Sequence, residues 1–135
     1  MNLKSLIVVA IPLIFVSCKK PITEPNSGIY RGTFYEIFDN GDTAGQGVAN
    51  LALNDEKNWF QLSGDTATGA PLSCNGNYAI LSSTLIDFED ISNVDFGYHP
   101  FNILDTTFTY VFDNKNFTMT LKVDTALYEY KLVRN

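Results

Sequence analysis

From residue 27 onward, apolar and polar side chains take turns along the chain. In residues 27–39, Tyr30, Gly32, Phe34 and Phe38 fall on one face and Arg31, Thr33 and Tyr35 on the other. A two-residue period of this kind marks an extended strand with one buried face. The pattern then recurs. Residues 45–54 place Gly47, Ala49, Leu51 and Leu53 on one side, and residues 59–63 place Phe60 and Leu62 inward with Trp59 outward. Gly76, Tyr78 and Ile80 alternate in a fourth strand, Ile86 and Phe88 in a fifth. The longest alternation, 103–113, sets Leu104, Thr106, Phe108, Tyr110 and Phe112 against Asp105, Thr107 and Thr109. Phe117, Met119, Leu121 and Val123 point inward in the seventh strand, and Tyr128, Tyr130 and Leu132 in the last, 126–134.

Short polar clusters separate most of these runs: Asn40-Gly41-Asp42, Asp55 to Asn58, Ser82 to Thr84 and Asp113 to Asn116. The Asn-Gly pair suits the positive φ of a tight hairpin. Two connections are longer, 64–73 and 89–102. No stretch after Ser27 carries a 3.6-residue apolar period, so the connections hold no crossover helix and neighbouring strands must run antiparallel. Eight such strands can close on themselves and so leave no edge to pair with other chains. The predicted fold is therefore all-β: a single antiparallel up-and-down β-barrel of about eight strands over residues 28–135, with a two-sheet β-sandwich as the alternative.

The beginning of the chain follows a different rule. Lys4 precedes an unbroken apolar run, Leu6 to Val16, which ends in Ser17 and Cys18. A membrane-spanning helix needs about 20 apolar residues, and this run is shorter and contains Pro12. The order of basic, apolar and small residues is that of a cleaved export signal, residues 1–17. A simple cut after Ser17 fits poorly, because bulky Phe15 stands three places back. Phe15-Val16-Ser17-Cys18 resembles instead the lipobox of bacterial lipoproteins. The resemblance implies that Cys18 becomes the lipidated first residue and that membrane attachment runs through it. At about 0.8 kcal/mol per buried CH₂, its acyl chains would hold a domain on a bilayer almost irreversibly. Lys19, where inner-membrane lipoproteins typically carry Asp, implies the outer membrane. Residues 18–27, with two prolines and no aromatic residue, are expected to form a flexible tether.

Further along, Gly28-Ile29-Tyr30-Arg31-Gly32-Thr33-Phe34, Gly76-Asn77-Tyr78-Ala79-Ile80, Ile86-Asp87-Phe88, Ile103-Leu104 with Phe108 and Tyr110, and Tyr128-Glu129-Tyr130-Lys131-Leu132 resemble the small lipocalin-like, calycin-type lipoproteins of diderm bacteria. That resemblance implies a barrel across the domain and no catalytic residue.

Composition narrows the function. The formal net charge is −6 and grows one unit more negative when Lys4 leaves with the signal. No basic face is visible, which disfavours nucleic acid as a partner. With Cys18 assigned to the anchor, Cys74 stands alone and is expected to be a half-buried small hydrophobe, since no basic neighbour lowers its pKa. His99 is the single histidine and the one general-base candidate near neutral pH, but no Gly-x-Ser-x-Gly elbow accompanies it. His99 and Cys74 are too few nitrogen and sulfur ligands for zinc. Asp87, Glu89, Asp90 and Asp95 match no calcium loop and are expected to be solvated. No catalytic residue, metal or cofactor is therefore expected.

Function is left to binding. One expectation is a small apolar or aromatic ligand held at the barrel's open end, beneath the loops 64–73 and 89–102. The inward face carries so many rings that a filled bore is the competing outcome. The alternative is an envelope protein or glycan met by exposed aromatic residues. Candidate contacts are Trp59, Tyr35, Phe96, Tyr98, His99 and Phe101.

Overall fold

The computed structural model describes residues 23–65, 67–68, 70–92 and 104–135. Eight strands follow one another: β1 (Gly28–Phe38), β2 (Thr43–Asn54), β3 (Trp59–Ser63), β4 (Cys74–Ile80), β5 (Leu85–Asp90), β6 (Thr107–Asp113), β7 (Asn116–Val123) and β8 (Ala126–Arg134). Each pairs antiparallel with the next, and β8 returns to β1 from Tyr30 opposite Arg134 to Phe38 opposite Ala126. The sheet is a closed up-and-down barrel, and the sandwich alternative falls. Turn chemistry supports the hairpins. Gly41, Asn58, Asn114 and Asp124 adopt φ of 86°, 49°, 55° and 51°, the left-handed region that glycine, asparagine and aspartate tolerate best.

Alternation sorts the side chains. Tyr30, Phe34, Leu51, Phe60, Ile86, Phe108, Phe117, Met119 and Tyr130 are all fully buried, and no charged residue among those described is buried with them. The outer face carries threonine, asparagine, lysine and acidic side chains between single exposed apolar residues such as Val48 and Val111. This polarity is opposite to that of a membrane-spanning barrel, whose outer band is apolar and whose lumen is polar.

Two departures from alternation occur at rims. Phe38, expected inside, is 42% exposed. β2 carries one extra residue, Ala44, between the partners of Glu36 and Ile37. Such a bulge bends the hairpin, and Phe38 occupies the last rung beyond it. Glu36 takes the inward position instead and accepts a hydrogen bond from the Tyr128 hydroxyl at 3.2 Å. The sixth strand begins at Thr107 and not at 103. Residues 104–106 form an irregular approach in which Leu104 is fully buried.

The strands define two ends. At the turn end lie the β2–β3, β4–β5 and β6–β7 turns, the start of β1 and the end of β8. At the loop end lie the β1–β2 and β7–β8 turns and the two long connections. At the loop end a Cβ on Gly47 would fall 1.8 Å from the Ala70 carbonyl oxygen, so only glycine lets the 64–73 connection fold down onto the barrel. Gly32 has the same role for closure, since a Cβ there would meet the Lys131 carbonyl oxygen of β8 at 1.8 Å.

Candidate functional site

Aromatic rings occupy the bore. Phe60 meets Phe88 at 5.0 Å between centroids, Phe88 meets Phe108 at 6.1 Å, Phe108 meets Tyr130 at 5.9 Å, and Tyr130 meets Phe34 at 4.9 Å. This chain of contacts crosses from β3 to β1 through β5, β6 and β8. Nearer the turn end, Tyr110, Phe117 and Tyr30 form a second series at 5.9 and 5.3 Å. Several of these contacts are edge-to-face, the arrangement that aromatic quadrupoles favour.

The inward tyrosines direct their hydroxyls to the rims. Tyr30 donates to the Asn26 carbonyl at 2.7 Å, Tyr110 to the Ser82 carbonyl at 3.1 Å, and Tyr128 to Glu36. Tyr130 differs. Its fully buried hydroxyl has no hydrogen-bond partner among the described residues, and burial holds its pKa well above the ordinary tyrosine value. Cys74 is more enclosed than half-buried. Its thiol accepts the Leu104 amide at 3.4 Å, and burial pushes its pKa up to about 12. At ordinary pH it is a thiol and not a thiolate, which leaves it a poor nucleophile.

Both ends are covered. At the loop end, Pro71 is buried, Ala70 packs on the core, and Leu104 seals beside Cys74. Asp65 organises this cover by accepting the amides of Ala67 at 2.8 Å and Val48 at 3.2 Å, which hold its carboxyl below the usual range. At the turn end, the segment expected as free tether is partly docked. Pro25 is buried, the Ser27 amide donates to Asp55, Asp55 N–H donates to the Ser27 hydroxyl, and Arg134 donates to the Ser27 carbonyl at 2.7 Å. A recess of about 450 Å³ remains there, lined by Glu24, Asn26, Asp55, Asn58 and Tyr78 among others. Tyr78 is pushed up to about 12, chiefly by burial and then by the Asp55 charge.

The outer face holds the remaining candidates. Trp59 is half-buried and lines a recess of about 360 Å³ with Asn54, Lys57 and Asn77. Tyr35 lies elsewhere. It pairs with Gln46 whereas Trp59 pairs with Asn54, and eight positions along β2 amount to roughly 26 Å. The Lys131 ammonium sits 5.3 Å from the Tyr35 ring and 2.9 Å from Glu129, so Tyr35 is already engaged. Cys18, Phe96, Tyr98, His99 and Phe101 lie outside the described residues, as does Asp95. The other members of the acidic group have separate duties: Asp87 accepts the Thr107 hydroxyl, Asp90 accepts the Ser92 amide at 3.0 Å, and Glu89 accepts the Asn77 amide at 3.4 Å. Among the described residues, no three histidine, cysteine or acidic side chains cluster as metal ligands do.

Asn54 and Asn77 are the site residues that alternation could not supply. Both are outward polar positions like many others, and only the strand register brings them to either side of Trp59. The architecture is an eight-stranded, closed antiparallel barrel, consistent with a calycin-type fold. No protein-family model, curated protein or solved structure matches the chain.

Proposed function

We propose that this protein is a lipid-anchored, non-enzymatic module of the bacterial cell envelope that binds through the outside of its barrel and not through its bore. The observation that carries this reading is the ring chain from Phe60 to Phe34, which fills the space where a lipocalin-type ligand would sit. Recesses at the turn end and on the outer face are open to a partner. A glycan or envelope protein meeting the half-buried Trp59 from outside thus fits better than a small apolar ligand inside.

The anchor belongs to the same proposal. Residue 23 is only five positions past Cys18, so a lipid on Cys18 lies within roughly 17 Å of the docked segment even when the chain between is fully extended. The turn end then faces the membrane and the β1–β2 and β7–β8 turns face away. The outer membrane is the proposed address, from Lys19.

The test has two arms. Cys18→Ser should shift the protein from the membrane to the soluble fraction, and unchanged fractionation would refute the anchor. Native mass spectrometry after incubation with a panel of fatty acids and aromatic metabolites should return only the mass of the chain, whereas a retained compound would return the binding site to the interior.

A further inference from the structure

The Trp59 recess is assembled by register. Asn54 of β2, Trp59 of β3 and Asn77 of β4 stand opposite one another in a single cross-strand row, which Glu89 of β5 continues. Neighbouring strands lie about 4.8 Å apart, so a carboxamide flanks the indole on each side at one strand spacing. We infer that this row is a saccharide-binding subsite, in which the Trp59 ring stacks on the apolar face of a neutral pyranose and the amides of Asn54 and Asn77 take its hydroxyl groups. The inference rests on the outward-binding role above and supplies its ligand class.

Three features of the recess favour a sugar. First, the hydrogen bonds already made fix the two amides in complementary states. Asn54 Oδ1 accepts the Lys57 amide at 3.1 Å and leaves its NH₂ as a donor. Asn77 Nδ2 donates to Glu89 Oε2 and leaves its carbonyl oxygen as an acceptor. A sugar hydroxyl donates and accepts at once, so a donor on one flank and an acceptor on the other is a matching set. Second, the Trp59 N–H makes no hydrogen bond and the Lys57 ammonium no ion pair among the described residues. On the outer face of β6 and β7, by contrast, Thr109 bonds Thr120 at 2.7 Å and Thr107 bonds Asp87, so those three hydroxyls are occupied. Third, the volume of about 360 Å³ lies at the small end of the range of roughly 300–1,000 Å³ for small-molecule sites. That is room for about one or two sugar rings.

Charge selects among sugars. Asp55 and Glu56 share the turn with Lys57, so the recess carries no net positive charge and a polyanionic glycan gains little there. A neutral pyranose, whose C–H face is as apolar as its rim is polar, matches the indole and the amides together.

Trp59 is the only tryptophan in the chain, so the indole reports the site directly. The experiment titrates the full-length protein with chitotriose, maltotriose and a heparin-derived disaccharide, following the indole ¹H–¹⁵N peak and indole fluorescence. A neutral trisaccharide should give a saturable shift with a dissociation constant on the order of 1 mM or tighter. By calorimetry, Trp59→Ala should weaken binding at least about tenfold and Asn77→Ala about fivefold, with melting temperatures near that of the parent. No indole shift with either neutral sugar would overturn the inference, as would a response to the heparin disaccharide alone or binding that survives Trp59→Ala. The fractionation and mass-spectrometric arms above involve no sugar, so they stand or fall independently.

Discussion

The two ends of the barrel are closed by different physics. At the turn end the closure is chiefly polar: Tyr30 bonds Asn26, Ser27 and Asp55 exchange hydrogen bonds, and Arg134 holds the Ser27 carbonyl. At the loop end it is chiefly packing: Ala70 against Gly47, buried Pro71, and Leu104 over Cys74. Hydrogen-bonded closure exchanges water contacts for protein contacts and is worth about 1 kcal/mol per bond. Packed closure removes apolar surface from water and leaves a void when a side chain is lost, at several kcal/mol. The loop end is therefore the stronger seal and the less forgiving one.

The largest test of this contrast is Leu104→Ala. Truncating a fully buried leucine that also covers a thiol should cost about 2–5 kcal/mol in urea unfolding. A loss under 1 kcal/mol would mean that the loop end is no real part of the core. Gly47→Ala is next. Its new methyl must displace the Ala70 backbone, and about 1–3 kcal/mol is expected, with faster amide exchange across 64–73 but not across 23–27. Exchange that rises equally at both ends would show that the seals are coupled.

Alkali should attack both ends, the loop end through Cys74 and the turn end through Tyr78. Cys74 keeps its proton to about 12 in the fold but loses it near the ordinary value of 9.0 when unfolded. A buried thiol or phenol with a raised pKa stabilises nothing below the unfolded value, and above it the unfolded state is favoured by releasing the proton. Stability should thus fall as pH rises from about 9 towards 12, with Tyr78 adding to the slope above its ordinary 10.0. Cys74→Ala should flatten the part of the curve between 9 and 10, and an unchanged slope would place the titration elsewhere.

Two smaller effects of opposite sign follow. Tyr30→Phe removes a partnered hydroxyl at the turn end and should cost about 1 kcal/mol. Tyr130→Phe removes one that has no partner and should be neutral or stabilising by up to about 1 kcal/mol. Two equal losses would mean that the Tyr130 hydroxyl is hydrogen-bonded in solution. The smallest effect belongs to Asp65, at the rim. Its carboxyl is held low by the amides it accepts, so its contribution is present above the ordinary aspartate range and lost as pH falls through the depressed value. Once acid protonates that carboxyl, exchange at the Val48 and Ala67 amides should quicken before any global unfolding.

What the chain disclosed in advance follows from where information is local. Period-two alternation is a property of a few consecutive residues, so the inward identity of Leu51, Phe60, Phe108, Met119 and Tyr130 was legible. The exceptions come from contacts that are distant in sequence. Phe38 turned outward because of an extra residue on the next strand, and Glu36 took an inward place because Tyr128, near the other end of the chain, offers it a hydroxyl. A charged residue at an inward parity was the available signal. Pro25 and Ser27 read as tether because prolines and small polar residues do, yet Pro25 is buried and Asp55 and Arg134 give the Ser27 backbone its partners. At the candidate site the outward tryptophan was legible, but the flanking amides required the register. That register is set by a four-residue turn and by the pairing of three strands.

The seam between β1 and β8 has a temporal consequence. The free edge of β1 can be paired only by residues 126–134, so a growing chain holds an open sheet until β8 has been made. No shortened product can complete the ring. Such distant pairing belongs to domains that acquire their native form over milliseconds to seconds, and through that interval the unpaired flank of β1 is the surface most in need of a chaperone.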